Sequence, residues 1–298
     1  PVENPVRVNS SVDPINFVAP EFREALTRSA DHLRGQPILF SAEMLPAMRE
    51  GAARMMPAQK PLPSPAVEEL KIPGPAQAPE VKIYVIGARA GESRPAILHM
   101  HGGGYVLGRA EDDLFKLQQL ADKHNCVIVT VDYRLAPETP FPGSLEDNYA
   151  ALKWLHGNAD TLGVDRARIA VLGESAGGGH AAMLAIAARD RGEVPIRHQI
   201  LIYPMLDDRT GSKNEMPYWM GYGSWNADAN RFGWSSLLGI PAGSETVPYG
   251  SVPARIENLA GLPPTFIGVG SIDLFAAEDI DYARRLINEG VPTELLVV

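Results

Sequence analysis

The residues able to do chemistry in this 298-residue chain cluster in two glycine-rich stretches. One reads Gly173-Glu174-Ser175-Ala176-Gly177, entered from an apolar run (169–172) and left through an alanine-rich helical run. A G-x-S-x-G sequence between strand and helix puts the serine on a sharp turn, its hydroxyl exposed at the strand's carboxyl end. The flanking glycines have a steric purpose, because a Cβ at either flank of so tight a turn would clash with neighbouring backbone. A helix starting at the serine also aims N–H groups and a positive dipole end at a developing oxyanion. Taken alone, the pentapeptide is equally compatible with an ordinary strand-to-helix turn carrying a serine N-cap.

The second stretch is His101-Gly102-Gly103-Gly104-Tyr105, which follows the apolar run at 96–100. Successive glycines leave backbone N–H groups unshielded and let a ligand approach closely. Gly102, Gly104 and Gly108 miss the G-x-G-x-x-G spacing of a dinucleotide fingerprint, and no Gly-Lys-Ser/Thr follows to make a phosphate loop. The pattern that fits is the H-G-G-G loop that supplies oxyanion donors to a serine elbow. Two such turns, each at the carboxyl end of a strand, point to nucleophilic acyl transfer.

The elements that must position these turns follow from the hydrophobic pattern. Residues 1–57 carry no strand signal, and 20–33 and 41–56 read as two amphipathic helices. A proline-rich stretch at 57–65 reads as a linker and boundary. Strands are expected at 67–72, 81–87, 96–101, 126–133, 169–172, 199–203, 265–270 and 293–298. Helices are expected at 113–124, 144–158, 176–189 and 276–288. This alternation predicts an α/β protein with a largely parallel sheet covered on both faces. It is interrupted at 205–238 by an insertion rich in Trp, Tyr, Met and Gly. The expected division is a helical segment at 1–57, a core at 58–204, a second inserted segment at 205–238, and core again at 239–298.

Composition narrows the partners. Hydrophobic content of 45% and charged content of 21% describe a globular protein with ample core. A net charge of −9 without a basic cluster argues against nucleic acid and anionic membrane. The single cysteine, Cys126, opens a β-branched run and is expected to be a buried core thiol, with no disulfide framework. No apolar run reaches membrane-spanning length, and the first residues are neither basic nor apolar enough for a signal peptide, so a cytoplasmic location is expected.

The chain resembles the hormone-sensitive-lipase-like carboxylesterases of the α/β-hydrolase superfamily. The resemblance rests on HGGGYVLG (101–108), DYRLAPETPFP (132–142), GESAGGG (173–179) and SIDLF (271–275), in that order. It implies an α/β-hydrolase fold of about eight mostly parallel strands, with 1–57 and 205–238 forming a helical cap. It also implies hydrolysis of short- to medium-chain carboxylic esters through an acyl-serine intermediate, without metal or organic cofactor. The implied partner is a small-molecule ester, and a homodimer is the one assembly left open. Carried over by position, Ser175 is the nucleophile, Gly103, Gly104 and Ala176 supply the oxyanion-hole N–H groups, and Asp273 orients the base. Asp273 also qualifies from its own surroundings, since it follows an apolar strand at the same sheet edge as Ser175. Its rivals Glu278 and Asp279 fall within the next helix and suit its exposed face or first turn. Glu174, where the family often has aspartate, is expected to be a structural hydrogen-bond acceptor, and His101 to hold its own loop. Asp132 and Arg134 are expected to brace a turn as an ion pair. Tyr105, Trp219 and Tyr222 are expected to wall a closed pocket that favours small acyl groups.

One departure matters. The family's base histidine lies in the loop after the last strand, and none of the seven histidines here takes its place. His99 is on a strand interior, His124 and His156 on flanking helices, His180 in the nucleophile's own helix, and His198 at the wrong strand end. His32, in the helical segment, is the remaining candidate. A histidine is therefore expected within roughly ten residues after Val298. Two other readings stay open: a ligand-binding protein without catalysis, as in the plant gibberellin receptors that resemble this family, and an amidase or acyltransferase using the same machinery.

Overall fold

Aliphatic and β-branched runs form eight strands: β1 Val67–Ile72, β2 Val81–Ile86, β3 Arg94–Met100, β4 Val127–Asp132, β5 Val164–Glu174, β6 His198–Ile202, β7 Thr265–Val269 and β8 Thr293–Val297. The computed structural model describes residues 13–34, 41–55, 59–76, 78–217, 219–221 and 225–298. The strands make one sheet in the order β1-β2-β4-β3-β5-β6-β7-β8. β1 runs antiparallel to β2, and β2 antiparallel to β4. Every later pairing, from β4 through β8, is parallel. The α/β fold with an eight-stranded, mostly parallel sheet is therefore as the residue pattern predicts.

Parallel neighbours need crossovers, and helices supply them. The helices are α1 Pro20–Arg34, α2 Leu45–Met55, α3 Leu114–His124, α4 Gly143–Gly157, α5 Ala159–Leu162, α6 Ala176–Arg191, α7 Ala227–Leu238 and α8 Ala276–Asn288. Helix α6 is apolar nearly all round, and its residues from Ala176 to Ile186 are buried. It runs through the core because alanine and glycine let neighbouring elements approach closely. The parallel arrangement brings the carboxyl ends of β3, β5, β6 and β7 to one rim, the edge at which α/β sheets carry their sites. No helix among the described residues is long and apolar enough to cross a membrane. Cys126 is buried, as expected.

Three local differences from the sequence reading have physical reasons. β5 starts at Val164 rather than 169, and residues 165–168 are half-buried or exposed, so only its buried half carried an apolar signal. The segment after residue 58 is no free linker. The buried Gln118 on α3 accepts a hydrogen bond from Leu62 N–H (2.7 Å) and donates to Leu62 O (2.9 Å). Helix α7, within the 205–238 insertion, buries Trp234, Leu237 and Leu238 in the main core. On the other side Leu45 of α2 packs with Val106 and Ala136, so both helical segments bear on the glycine-rich loop after β3.

Candidate active site

Ser175 stands at the end of β5 with φ 56° and ψ −124°, a conformation that L-residues rarely adopt. The surrounding bonds over-determine it. Its N–H donates to Ile202 O at 2.9 Å, and its carbonyl accepts from Gly179 N–H and Met205 N–H, each at 3.0 Å. The glycines act as predicted: a Cβ on Gly173 would lie 2.1 Å from Gly177 O, and one on Gly177 would lie 2.0 Å from Met100 O. Strain held by tight backbone packing is typical of a functional turn.

The glycine loop is pressed against this elbow, for a Cβ on Gly102 would lie only 3.5 Å from Ser175 Cβ. His101 holds the loop as expected. Its Nδ1–H donates to Gly102 O at 2.8 Å, and its ring stacks on Tyr133 at 4.2 Å between centroids. Gly103 O accepts from the N–H groups of Val106 (3.1 Å) and Leu107 (2.8 Å), closing the turn. Among the described residues, the N–H groups of Gly103, Gly104 and Ala176 find no acceptor, which leaves donors free beside the serine. Beneath the loop His180 is sealed between Tyr105 and Tyr133, with ring centroids at 4.9 and 4.5 Å. Burial drives its pKa down to about 3, and His101 is lowered for the same reason.

A cavity of about 620 Å³ opens over Ser175 and Gly103, with Leu107, Phe115, Leu135 and Tyr203 on its walls. This corrects the expected pocket. Tyr105 is only 1% exposed and turns inward, where its hydroxyl donates to Met205 O at 2.8 Å. Trp219 does not line the cavity; its ring lies 5.4 Å from that of Phe17. Tyr222 lies outside the described residues. Tyr203 escaped the sequence reading, yet it directly follows β6, between the strands carrying Ser175 and Asp273, and has φ 36°.

Asp273 lies just past β7 on the same rim, its Oδ1 accepting from Phe275 N–H at 2.9 Å. Burial raises its pKa, and that N–H partly opposes the rise. One strand, β6, separates it from Ser175, a gap of roughly 10 Å between strand axes at the usual spacing. The rivals are not exposed as expected, because the first turn of α8 faces the core. Glu278 Oε1 accepts from Leu206 N–H (2.6 Å) and Asp207 N–H (3.1 Å), while its other oxygen accepts from the Thr210 hydroxyl. Asp279 is 0% exposed, and among the described residues neither of its oxygens has a partner. Asp132 and Arg134 do not pair with each other. Asp132 bonds Lys82 at 3.0 Å, and Arg134 grips the buried Asp147 at 2.7 Å. Among the described residues no histidine hydrogen-bonds Ser175 or Asp273. His32 is on α1, in the part whose side chains lie outside the described residues.

Glu174 is the structural acceptor expected. His99 Nε2 donates to Oε2 at 3.0 Å and Lys116 Nζ to Oε1 at 2.9 Å, while Thr130 Oγ1 holds the other ring nitrogen of His99 at 2.8 Å. Burial pushes the Glu174 carboxyl up, but His99 and Lys116 outweigh it and bring its pKa to about 2. Lys116 also bonds Asp113 at 2.9 Å. His99, Asp113 and Glu174 stand close enough to share a metal ion, yet the lysine ammonium already bridges both carboxylates.

Known proteins are similar to this chain in sequence and fold. The family described as alpha/beta hydrolase fold matches residues 97–298. Esterase LipI of Mycobacterium tuberculosis is 36% identical over 251 residues, covering 81% of this chain and 75% of LipI. Carboxylesterase NlhH of the same species is 36% identical over 214 residues, covering 68% of this chain and 64% of NlhH. The solved structure of a bacterial heroin esterase superposes with a TM-score of 0.84 at 34% identity, covering 96% of this chain and 89% of that one. The serine elbow and glycine loop on one rim of the sheet, with these similarities, lead to one conclusion: the chain belongs to the hormone-sensitive-lipase-like carboxylesterases of the α/β-hydrolase superfamily.

Proposed function

We propose that this protein is a carboxylesterase that hydrolyses short- to medium-chain esters of small molecules through an acyl-serine intermediate. The observation that carries the reading is the strained Ser175, which lines one cavity with Gly103, beside three N–H groups that find no acceptor among the described residues. Ser175 Oγ attacks the ester carbonyl, and its proton passes to an imidazole. The N–H groups of Gly103, Gly104 and Ala176 stabilise the tetrahedral oxyanion, and collapse expels the alcohol, which takes the proton back. Water then repeats the sequence on the acyl-serine.

Asp273 is assigned as the carboxylate that fixes the imidazole's tautomer and supports its charge. The imidazole must sit over the end of β6. β8 runs parallel beside β7, and Val298 N–H donates to Val269 O at 3.0 Å, so chain continuing from β8 would emerge at this rim. A histidine there is our assignment for the base. The segments 1–57 and 205–238 are assigned as a cap, since α2 and α7 both bear on the loop over the cavity. A cytoplasmic site of action and a homodimer remain part of this proposal. The cavity volume lies in the range of small-molecule sites, in keeping with small acyl groups.

The test is labelling of the active enzyme by an ester-mimicking phosphonate, followed by peptide mass spectrometry. Modification is expected at Ser175 alone, and labelling that persists in Ser175→Ala would overturn the assignment. Across acetyl to palmitoyl esters, highest kcat/KM on palmitoyl would overturn the chain-length reading.

A further inference from the structure

One wall of the cavity holds a charge that the acyl-transfer steps do not use. Lys116, from α3, lines the cavity together with Ser175, and its side chain is 48% exposed there. Two of the three ammonium N–H groups are taken by Asp113 Oδ1 and Glu174 Oε1, each at 2.9 Å. No third acceptor exists for it among the described residues. A lysine held at two points is no longer a floppy surface charge. Glu174 is itself fixed from behind by His99, and through the chain to Ser175 beside it, so the free N–H keeps a set position relative to the nucleophile. The surrounding wall combines the apolar Leu107, Phe115 and Leu135 with Arg49 and Arg109, whose guanidinium groups are already paired with carboxylates. Against the apolar part of that wall a polar substrate atom loses water, and the free Lys116 N–H is placed to replace it. Charge decides which polar group suits the place. The lysine's single positive charge faces two carboxylates, so an anionic substituent would be repelled while a neutral acceptor would not.

We propose that Lys116 is a specificity-determining residue, forming a subsite for an uncharged hydrogen-bond acceptor, a ketone or second ester carbonyl, that the substrate carries away from its scissile bond. This inference rests on the esterase reading above. A site that offers a charged donor held in place favours substrates carrying the acceptor, because a bound apolar analogue takes water from that donor without pairing it. The expected preference is about tenfold or more.

The experiment compares kcat/KM of the active enzyme within two matched pairs: ethyl 4-oxopentanoate against ethyl pentanoate, and 4-oxopentyl acetate against pentyl acetate. One pair places the ketone on the acyl side and the other on the alcohol side, and each ratio is divided by that for hydroxide hydrolysis. At least one corrected ratio should be about ten or more, fall toward unity in Lys116→Met, and be partly kept in Lys116→Gln, which retains a donor. Each variant is its own control, so a loosened Glu174 slows both members of a pair alike and leaves the ratio untouched. If the methionine variant does not fold, the glutamine variant carries the comparison and should show a reduced ratio. Corrected ratios near unity in the native enzyme, or ratios unchanged in the variants, would overturn the inference while leaving the esterase reading intact. Failure of the native enzyme to hydrolyse any of the four esters would overturn both.

Discussion

Replacing His180 by leucine should make the protein more resistant to acid. The ring is 1% exposed, its faces and edges are taken by Tyr105 and Tyr133, and neither nitrogen has a hydrogen-bond partner among the described residues. Burial penalises the imidazolium and moves the pKa from 6.5 to about 3, with nearby His101 adding to the effect. Above pH 6.5 the ring is neutral in both folded and unfolded chains and has no influence on stability. Below that pH the unfolded chain gains a proton that the folded chain refuses, and stability declines until the folded pKa is reached. At about 1.4 kcal/mol per pH unit, the whole interval removes about 4–5 kcal/mol. That is a large part of the ~5–15 kcal/mol by which domains are stable. Leucine has a similar size and no proton to gain. Urea unfolding followed by tryptophan fluorescence, from pH 7 to pH 4, should show the difference in unfolding free energy between native protein and variant shifting by about 1.4 kcal/mol per pH unit below pH 6. The buried carboxyls also titrate but are common to both proteins and cancel in that difference, which reports the His180 proton together with its repulsion from His101. Parallel pH curves would refute the reasoning, as would an NMR titration of His180 with a midpoint near 6.5.

Two further outcomes follow from the site. Gly104 has φ +60°, and a Cβ there would lie 2.1 Å from the Trp225 ring, so Gly104→Ala should displace the loop that carries the oxyanion donors. Its kcat should fall by about 10²–10³ at a stability cost of about 1–3 kcal/mol, and unchanged turnover of a short-chain ester would refute the loop's role. Burial holds the Glu278 carboxyl protonated well above the usual carboxylate range, despite its bonds from Thr210, Leu206 and Asp207. Glu278→Gln keeps an acceptor for the two backbone N–H groups and should lose less than about 1 kcal/mol, whereas Glu278→Ala orphans them and should lose about 2–5 kcal/mol. Equal melting temperatures for the two variants would contradict this.

The sequence alone determined the sheet and the reactive turns, because both follow from near neighbours along the chain. Apolar runs bounded by glycine and proline placed every strand, and the mostly parallel character of the sheet, though not its strand order, followed from the intervening helical patterns. The Ser175 elbow was legible because its glycines are demanded by contacts a few residues apart, such as Gly173 against Gly177. Tertiary structure alone decided what surrounds those turns. Tyr105 stands next to the glycine loop in sequence, but φ 69° sends its ring into the core toward Met205 rather than into the cavity. Glu278 and Asp279 have the look of acidic residues in an exposed first helical turn, yet the packing of α8 turns them inward. Lys116 reads as an ordinary helix-surface lysine until α3 packs beside the elbow and pairs it with Glu174. Leu107, Phe115, Leu135 and Tyr203 come from distant parts of the chain and share a cavity only because the strand order β4-β3-β5-β6 brings their loops to one rim. Turn geometry is set by sterics between adjacent residues, whereas the company a side chain keeps depends on which strands become neighbours, and that choice is made by the whole core at once.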